Sequence, residues 1–358
     1  MDYLSTNYEQ EGIVVGKILL TSDVCIQDDI NIDKNLEKII QDEVEFSICN
    51  LEGYFGTKKN LSDSLGISLE DFKKFAKTMK IKAVSVANNH INDGGISSRE
   101  ETFKILNSLN IKYFGTKEKP YLKIELNNKK NIIFFAGVWR LAGSNLKGLD
   151  VFWFQLRSLY CEIKKYSSQD NFIIWFPHWG IDMEILPHPW QVKVAKEIIE
   201  AGVNVIYGHH SHMTQPVFFY ENKPIVFCGG NFIMPQNKIT DYYSKNAFNG
   251  QSLLLDIDNG TSEIINTYFN YQDKKLIFLK KKDFVKSDFL LNYRKENGYL
   301  EYFKKNRSKT LLPMYGYNSV SNYMKSIYSL LAIKAFSFRA ISKIWKRVKQ
   351  KKLNNQKF

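Results

Sequence analysis

The histidines carry the clearest chemical potential in this sequence, and they are concentrated in one third of the chain. All six lie between positions 90 and 212, and the 146 residues that follow contain none. Three fall in one pentapeptide, Gly208-His209-His210-Ser211-His212. Histidine is the commonest metal ligand and the usual acid–base group near neutral pH. This concentration predicts a single site that binds metal or transfers protons.

Oxygen ligands complete the set of candidates. His210 and His212 are two positions apart, so on extended backbone both imidazoles would face the same way. The other candidates are two carboxylates, an amide and a third imidazole: Asp23, Glu52, Asn89 and His178. Such mixed nitrogen and oxygen ligands suit Mn, Fe, Zn or Mg, and their identity is left open. Six candidates exceed the needs of one tetrahedral ion, so we predict two divalent ions bridged by a carboxylate.

The elements that must position these side chains follow an α/β pattern. Helical patterns start at Ser68, with Asp71 completing a capping box, at Ser97 or Ser98 and at Pro189. Each candidate follows a run of residues that favour β-strand. In layered α/β sheets, the side chains that bind ligands gather beyond the carboxyl ends of the strands. We predict strands at Ile13–Leu20, Glu45–Cys49, Ala83–Ala87, Ile132–Val138, Phe172–Phe176, Val203–Tyr207 and Ile225–Cys228, then an antiparallel set at Ser252–Ile257, Ile264–Asn270 and Lys275–Leu279.

The ordered motifs resemble one known family over about residues 15–260. The CapA family comprises bacterial capsule and poly-γ-glutamate synthesis proteins within the calcineurin-like metallophosphoesterase superfamily. The motifs that carry the resemblance are Asp23, Asn50-Leu51-Glu52-Gly53, Ala87-Asn88-Asn89-His90, His178-Trp179-Gly180, Gly208-His209-His210-Ser211-His212 and Gly230-Asn231-Phe232. The resemblance implies a four-layer sandwich of two central β-sheets flanked by helices, with the active site at strand ends.

The resemblance also implies a role for each candidate. Asp23 and His212 would serve one metal; Asn89, His178 and His210 would serve the other. Glu52 would bridge the two, and His90 would be the catalytic acid beside the leaving group. The sequence departs from the pattern at Cys25, which stands where the superfamily has a histidine, and at Asp182, where the family tends to have Glu.

Other residues are assigned to the surroundings of the site. We expect His209, Asn88 and Asn231 to support the ligands from behind, His209 pointing away from the metals. Trp179, Asp182 and His188 are expected at the substrate rim, although Trp179 could instead be a lid of the core. Simpler readings exist for the ligands too: Asp23 and Asn89 could be helix caps, His178 a core histidine, and Glu52 the partner of a lysine.

The positive charge of the chain lies away from these motifs. The net charge is +13, but residues 302–358 hold 14 Lys and Arg and no acidic residue, which leaves −1 for residues 1–301. Nucleic-acid binding by the main domain is therefore not expected. We predict a CapA-like domain over 12–282, an irregular connector over 283–320 and a basic amphipathic helical tail over 321–358. The tail could contact anionic lipid or a polymer-synthesis complex, or be a solvated end.

Composition narrows the remaining possibilities. Four scattered cysteines without a CxxC motif argue against a disulfide scaffold or a zinc knuckle. We see neither a signal peptide nor an apolar run of spanning length, which predicts a cytoplasmic protein or one peripheral to the inner face of the membrane.

Together these features predict a dinuclear metal-dependent hydrolase of surface-polymer synthesis. Its substrate would be an anionic polymer or a phosphoester, with the cleaved bond open. The alternative is a non-catalytic accessory subunit of a membrane polymer synthesis or export complex. A phosphodiesterase acting on nucleotides is a weaker third reading, because no nucleotide-binding signature stands out.

Overall fold

A computed structural model describes most of the first 283 residues and a few beyond them. The described residues are 16–56, 65–125, 131–140, 142, 146–149, 151–152, 157–167, 169, 171–235, 249–283, 299, 302–303 and 305. The predicted tail over 321–358 and nearly all of the predicted connector lie outside them, so both stay predictions. No helix in the described part of the chain is long and apolar enough to span a bilayer.

In the described part of the chain, the first sheet has nine strands: β1 Lys17–Val24, β2 Asn31–Ile32, β3 Val44–Leu51, β6 Ile81–Ser85, β7 Lys112–Phe114, β15 Asn231–Ile233, β16 Asn249–Asp256, β17 Thr261–Asn270 and β18 Lys275–Asp283. Their order across the sheet is β2-β18-β17-β16-β1-β3-β6-β7, with β15 beside β1. The strands β1, β3, β6 and β7 run parallel, whereas β16, β17 and β18 form the predicted antiparallel set.

Seven strands form the second sheet, in the order β10-β9-β11-β12-β14-β13 with β8 antiparallel to β9. Its centre, β9, β11, β12 and β14, is parallel. The bounds are β8 Tyr121–Glu125, β9 Asn131–Trp139, β10 Val151–Phe152, β11 Phe172–His178, β12 Val205–Tyr207, β13 Val217–Tyr220 and β14 Lys223–Val226. A small ribbon pairs β4 Tyr54–Phe55 with β5 Gly66–Ile67.

The second sheet lies between two apolar cores, because successive side chains of its strands point to opposite faces. In β11, Ile174 and Phe176 face the first sheet, whereas Ile173 and Trp175 belong to a second core. This split follows from the two-residue period of a strand. Phe114 of β7 contacts Phe176, with ring centroids 6.2 Å apart, so the two sheets pack directly on each other.

Helices cover the outer faces and complete the four predicted layers. Apolar side chains of α1 Lys34–Glu43, α2 Leu69–Thr78 and α3 Gly95–Ser108 belong to the core of the first sheet. Those of α4 Arg157–Ser167 and α5 Pro189–Glu200 belong to the second core. Tyr299 and Phe303, which fall within the predicted connector, also pack in this second core.

Two element boundaries and one helix cap differ from those predicted from the sequence. Strand β1 continues to Val24, so Asp23 lies inside the strand rather than after it. Ser68 is the residue before α2, but its hydroxyl bonds the Asp71 carboxylate instead of a backbone amide. Helix α3 begins at Gly95, so Ser98 lies in its first turn and donates to the Gly94 carbonyl rather than capping the helix.

The interface between the sheets should dominate stability. Replacing the fully buried Phe176 with alanine is expected to lower the free energy of unfolding by about 3–5 kcal/mol, because it leaves a cavity beside Phe114 and Tyr207. Urea unfolding would measure this loss. Ile96→Ala, at a side chain 44% exposed, is the control and should change stability by less than about 0.5 kcal/mol. A loss below about 1 kcal/mol at Phe176 would contradict this packing.

Candidate metal centre

The predicted ligands of both sheets converge at one place. Asp23 lies near the end of β1, Glu52 follows β3, and His178 ends β11. The segment after β6 brings Asn89, and the segment after β12 brings the histidine cluster. An isolated bridge joins His178 to His209, which ties the ends of β11 and β12 together. The prediction that strand ends gather these side chains thus matches the geometry.

Asp23 is fully buried, and several polar side chains lie next to its carboxylate. The Asn50 side-chain amide donates to its Oδ1 at 2.8 Å, and His209 Nδ1 lies 3.4 Å from the same oxygen. Its Oδ2 is 3.6 Å from His212 Nδ1. Burial by itself would raise the pKa of Asp23, but the hydrogen bond and charge of His209, with the charges of His212 and His178, hold it well below its usual range. Asp23 is thus ionised at neutral pH.

Glu52 lies at the centre of the group. It is fully buried, and neither carboxylate oxygen has a hydrogen-bond partner among the described residues. Its Oε1 lies 3.5 Å from His212 Nε2, 3.9 Å from His90 Nε2 and 4.0 Å from His178 Nε2. Burial, and next the charge of Asp23, raise the pKa of Glu52 well above its ordinary value. A buried carboxylate without donors is costly, and a bound cation removes that cost.

Asn89, His178 and His90 form the opposite side of the site. The Asn89 Oδ1 is 2.6 Å from His178 Nε2. The Asn88 side chain holds this loop in place: its Oδ1 accepts from the backbone amides of His90 and Ile91, and its Nδ2 donates to the Leu51 carbonyl. Asn88 therefore fixes the loop that carries Asn89 and His90.

His90 has one ring nitrogen held and the other turned to the site. Its Nδ1 is 2.7 Å from the Asp93 carboxylate, and its Nε2 is 2.9 Å from the Asn89 Nδ2 and 3.9 Å from Glu52. The side chain keeps 28% of its surface exposed, so solvent reaches it. Sequence reasoning missed Asp93; a carboxylate three residues after a histidine in a turn was the available signal.

The rings of His210 and His212 lie close together, but not because the backbone is extended as predicted. His210 has φ 97° and His212 has φ 56°, so both residues have positive φ and their backbone is not extended. The argument from strand alternation was therefore wrong. The ring centroids are nevertheless only 6.4 Å apart, and that of His210 is 4.7 Å from His178. Two left-handed residues turn the chain so that both rings face the site.

Two residues behind the cluster differ in what they support. Asn231, opposite Asp23 in the pairing of β1 with β15, places its Oδ1 2.8 Å from His212 Nδ1. The contact fixes His212 with Nε2 toward Glu52. His209 is fully buried and its imidazole contacts Asp23, so it supports a ligand and does not simply point away.

Two of the three predicted rim residues are elsewhere. Trp179 is fully buried, and its Nε1 donates to the Phe227 carbonyl at 2.9 Å, so it is part of the second core. His188 is 8% exposed and caps α5, its ring accepting from the backbone amide of Trp190. The burial of Trp179 agrees with the alternative reading of this residue as a lid of the core, whereas the rim position predicted for His188 was wrong. Asp182 does lie at the edge, with its Oδ1 3.2 Å from His210 Nε2.

Asn50 is the main polar residue that sequence reasoning left out of the site. It is fully buried, donates to Asp23, accepts from Asn88 at 3.2 Å and lies 3.5 Å from His178 Nδ1. It thereby links three ligand-bearing segments. Its position two residues before Glu52 in the same motif was a usable signal, since alternate residues of a strand share a face.

The donor chemistry fits divalent cations. Asp23, Glu52 and His212 place one ligand atom each within 4.8 Å of one another. Asn89, His178 and His210 add an amide oxygen and two imidazoles beside them. Imidazole, carboxylate and amide ligands suit Zn, Mn, Fe or Mg. The buried Glu52 carboxyl group, without a hydrogen-bond partner among the described residues, supports the same conclusion, because a bound cation would favour its ionised form.

Comparison with known proteins gives one family and several distant relatives. Residues 21–236 match the family "Bacterial capsule synthesis protein PGA_cap". The chain is 28% identical over 181 residues to the capsule biosynthesis protein CapA of Bacillus anthracis, covering 47% of this chain and 43% of that protein. It is 25% identical over 178 residues to the PGA biosynthesis protein CapA of Bacillus subtilis, covering 46% and 45%. The match thus spans less than half the length of either relative.

Solved structures give only distant likenesses. A 5'-nucleotidase from Candida albicans is 11% identical with a TM-score of 0.43, and the match covers 75% of this chain and 55% of that one. A hypothetical protein from Thermus thermophilus gives a TM-score of 0.40. The family assignment depends on the sequence matches instead.

The buried histidines should make the metal-free protein sensitive to acid. Burial lowers the pKa of His178, His209 and His210 below the ordinary 6.5, so on acidification the unfolded chain binds more protons than the folded one. Glu52, with a raised pKa, opposes this with one proton. The free energy of unfolding is therefore expected to fall from pH 7.5 to pH 5.5, by about 1.4 kcal/mol per pH unit for each net proton.

Urea unfolding of chelator-treated protein at several pH values would measure this slope. His178→Gln removes one of the three imidazoles whose pKa burial lowers and should flatten the slope, whereas Ile96→Ala, at an exposed apolar side chain, should leave it unchanged. A stability that rises on acidification would contradict the protonation states described here.

Proposed function

The chain belongs to the family of bacterial capsule synthesis proteins of the PGA_cap type, and on that premise we propose that it is a metal-dependent hydrolase of surface-polymer synthesis. The observation that carries the proposal is the Glu52 carboxylate. It is buried, has no hydrogen-bond donor in the described part of the chain, and has nitrogens of His90, His178 and His212 at 3.5–4.0 Å. A buried carboxylate among metal-type ligands is an arrangement that a cation stabilises.

The ligands divide into two groups that share Glu52. Asp23 and His212 lie on one side, within 3.6 Å of each other. Asn89, His178 and His210 lie on the other, joined by the 2.6 Å contact of Asn89 with His178. We assign each group to one divalent ion, with Glu52 between them. When bound, such ions lower the pKa of a coordinated water and polarise the bond to be cleaved.

His90 supplies the proton in this proposal. Its imidazole is 28% exposed and borders Glu52. Asp93 holds its Nδ1, and its Nε2 lies on the side of the site, 2.9 Å from the Asn89 Nδ2, which a bound substrate would have to displace. The Asp93 carboxylate, 2.7 Å from Nδ1, orients the ring. A histidine in this position donates a proton to the departing oxygen or nitrogen atom, which contributes a factor of about 10²–10⁴ to the rate.

The family and the site together support one class of substrate. Two relatives are named for capsule and PGA biosynthesis, which favours an anionic polymer or a phosphoester derived from its synthesis. An activated water can attack a phosphoester, an amide or an ester, so the assay must offer more than one bond type.

Metal binding is the first test. The protein is expected to take up Mn²⁺ or Zn²⁺, and Glu52→Gln should weaken the affinity at least about 10-fold, because the central negative charge is lost while the shape is kept. Isothermal titration would measure both. His188→Asn removes a histidine outside the site and keeps a residue able to cap α5, so it should bind metal as the unaltered protein does. No uptake at micromolar metal would refute the proposal.

Separation of metal binding from turnover is the second test. His90→Asn should keep metal affinity within a few-fold, yet reduce hydrolysis of bis(p-nitrophenyl) phosphate or of poly-γ-glutamate by about 10²–10⁴. Absorbance and mass spectrometry follow the two substrates. If the metal-loaded protein cleaves neither, the chain is an accessory protein rather than a hydrolase. Equal rates in His90→Asn would contradict the role of His90.

A further inference from the structure

Asp182 stands beside the centre without being one of its ligands. Its Oδ1 is 3.2 Å from His210 Nε2, and 40% of its side chain is exposed, whereas the His210 side chain is 4% exposed. The carboxylate therefore reaches the buried ring from the solvent side. The other ring nitrogen, Nδ1, is buried and has no hydrogen-bond partner among the described residues.

The loop that carries Asp182 is fixed to the histidine cluster by its backbone. The Trp179 amide donates to the His209 carbonyl at 3.2 Å, and the Met183 amide donates to the Ser211 carbonyl at 2.7 Å. These two bonds lie on either side of Asp182 and of His210. Gly180 and Met183, both with positive φ, give the loop the curvature that this pairing requires. The position of the carboxylate is thus set by main-chain bonds rather than by a flexible side chain alone.

His212 offers a comparison within the same cluster. Its Nδ1 is 2.8 Å from the Asn231 Oδ1, which leaves Nε2 turned toward Glu52 at 3.5 Å. In His210 the held nitrogen is Nε2 and the unpartnered one is Nδ1. The two histidines are therefore anchored through opposite nitrogens by two unrelated side chains, Asn231 behind the site and Asp182 at its edge.

We propose that Asp182 is a positioning residue that holds the proton of His210 on Nε2 and so presents Nδ1 to the metal. A ligating histidine usually donates its other N–H to a carboxylate or carbonyl, which fixes the tautomer and increases the basicity of the ligating nitrogen. The proposal depends on the proposed function, since it assigns Asp182 a role toward the metal that His210 binds. The partly exposed carboxylate of Asp182 thereby sets the tautomer of the buried His210 ring.

The test compares zinc affinity and ring protonation in the full chain. Asp182→Ala is expected to weaken Zn²⁺ binding by about 10- to 100-fold, measured by competition with a chromophoric chelator. Asp182→Asn keeps an accepting oxygen and should lose less than Asp182→Ala. Asp28→Ala is the matched control, because its side chain is also 40% exposed but bonds Lys274, and it should bind zinc as tightly as the unaltered protein. Circular dichroism verifies that each variant is folded.

Long-range ¹H–¹⁵N correlation spectra of the zinc-loaded protein give the second measurement. The unaltered protein should carry the His210 proton on Nε2, with its signal identified by comparison with His210→Gln. In Asp182→Ala this signal should shift or broaden, which a purely structural role would not cause. A proton on Nδ1, or unchanged zinc affinity in Asp182→Ala, would overturn the role of Asp182 alone. Absence of zinc binding by the unaltered protein would overturn the proposed function as well.

Discussion

The burial of negative charge beside imidazoles is the constraint on which this structure depends. Asp23 and Glu52 are both fully buried, and they are close enough that the charge of Asp23 raises the pKa of Glu52. Two such carboxylates in a low-dielectric interior are unfavourable unless protons, cations or imidazoles balance them. The Asn50 side chain and the His210 backbone amide donate hydrogen bonds to Asp23, and the His209 ring lies 3.4 Å from it. Glu52 has no hydrogen-bond partner among the described residues. The site is thus built to accept positive charge.

Main-chain geometry at the site serves this arrangement. His210 and His212 hold left-handed conformations that cost free energy in residues other than glycine, on the order of 1 kcal/mol each. The surrounding loops fix these conformations: the His210 amide points to Asp23, and the Ser211 carbonyl accepts from Met183. Gly208 lies so close to the Phe227 carbonyl that a Cβ there would meet it at 2.1 Å, which explains why the cluster begins with glycine.

The layers of the fold explain why ligands from distant parts of the chain meet. Both sheets have parallel strands at their centres. Asn50 in β3 and Asn89 after β6 both contact the ring of His178 at the end of β11, so strand ends of the two sheets meet at the site. The apolar core between the sheets, with Phe114, Phe176 and Tyr207, keeps them in fixed register. Helices on the outer faces bury the remaining apolar side chains. The candidate ligands meet because packing fixes the two sheets against each other.

The sequence by itself determined the α/β class and most strand positions, and it named the candidate ligand residues, because these depend on local periodicity and on motifs with fixed spacing. It could not place Trp179 or His188. Each lies within or near a ligand motif, yet one is core and the other caps α5, since burial depends on residues distant in sequence such as Phe227. Asn50 and Asp93 were missed because their importance is a matter of contacts. Only the tertiary structure decided which side chains touch, since packing of two sheets brings together residues that no local pattern connects.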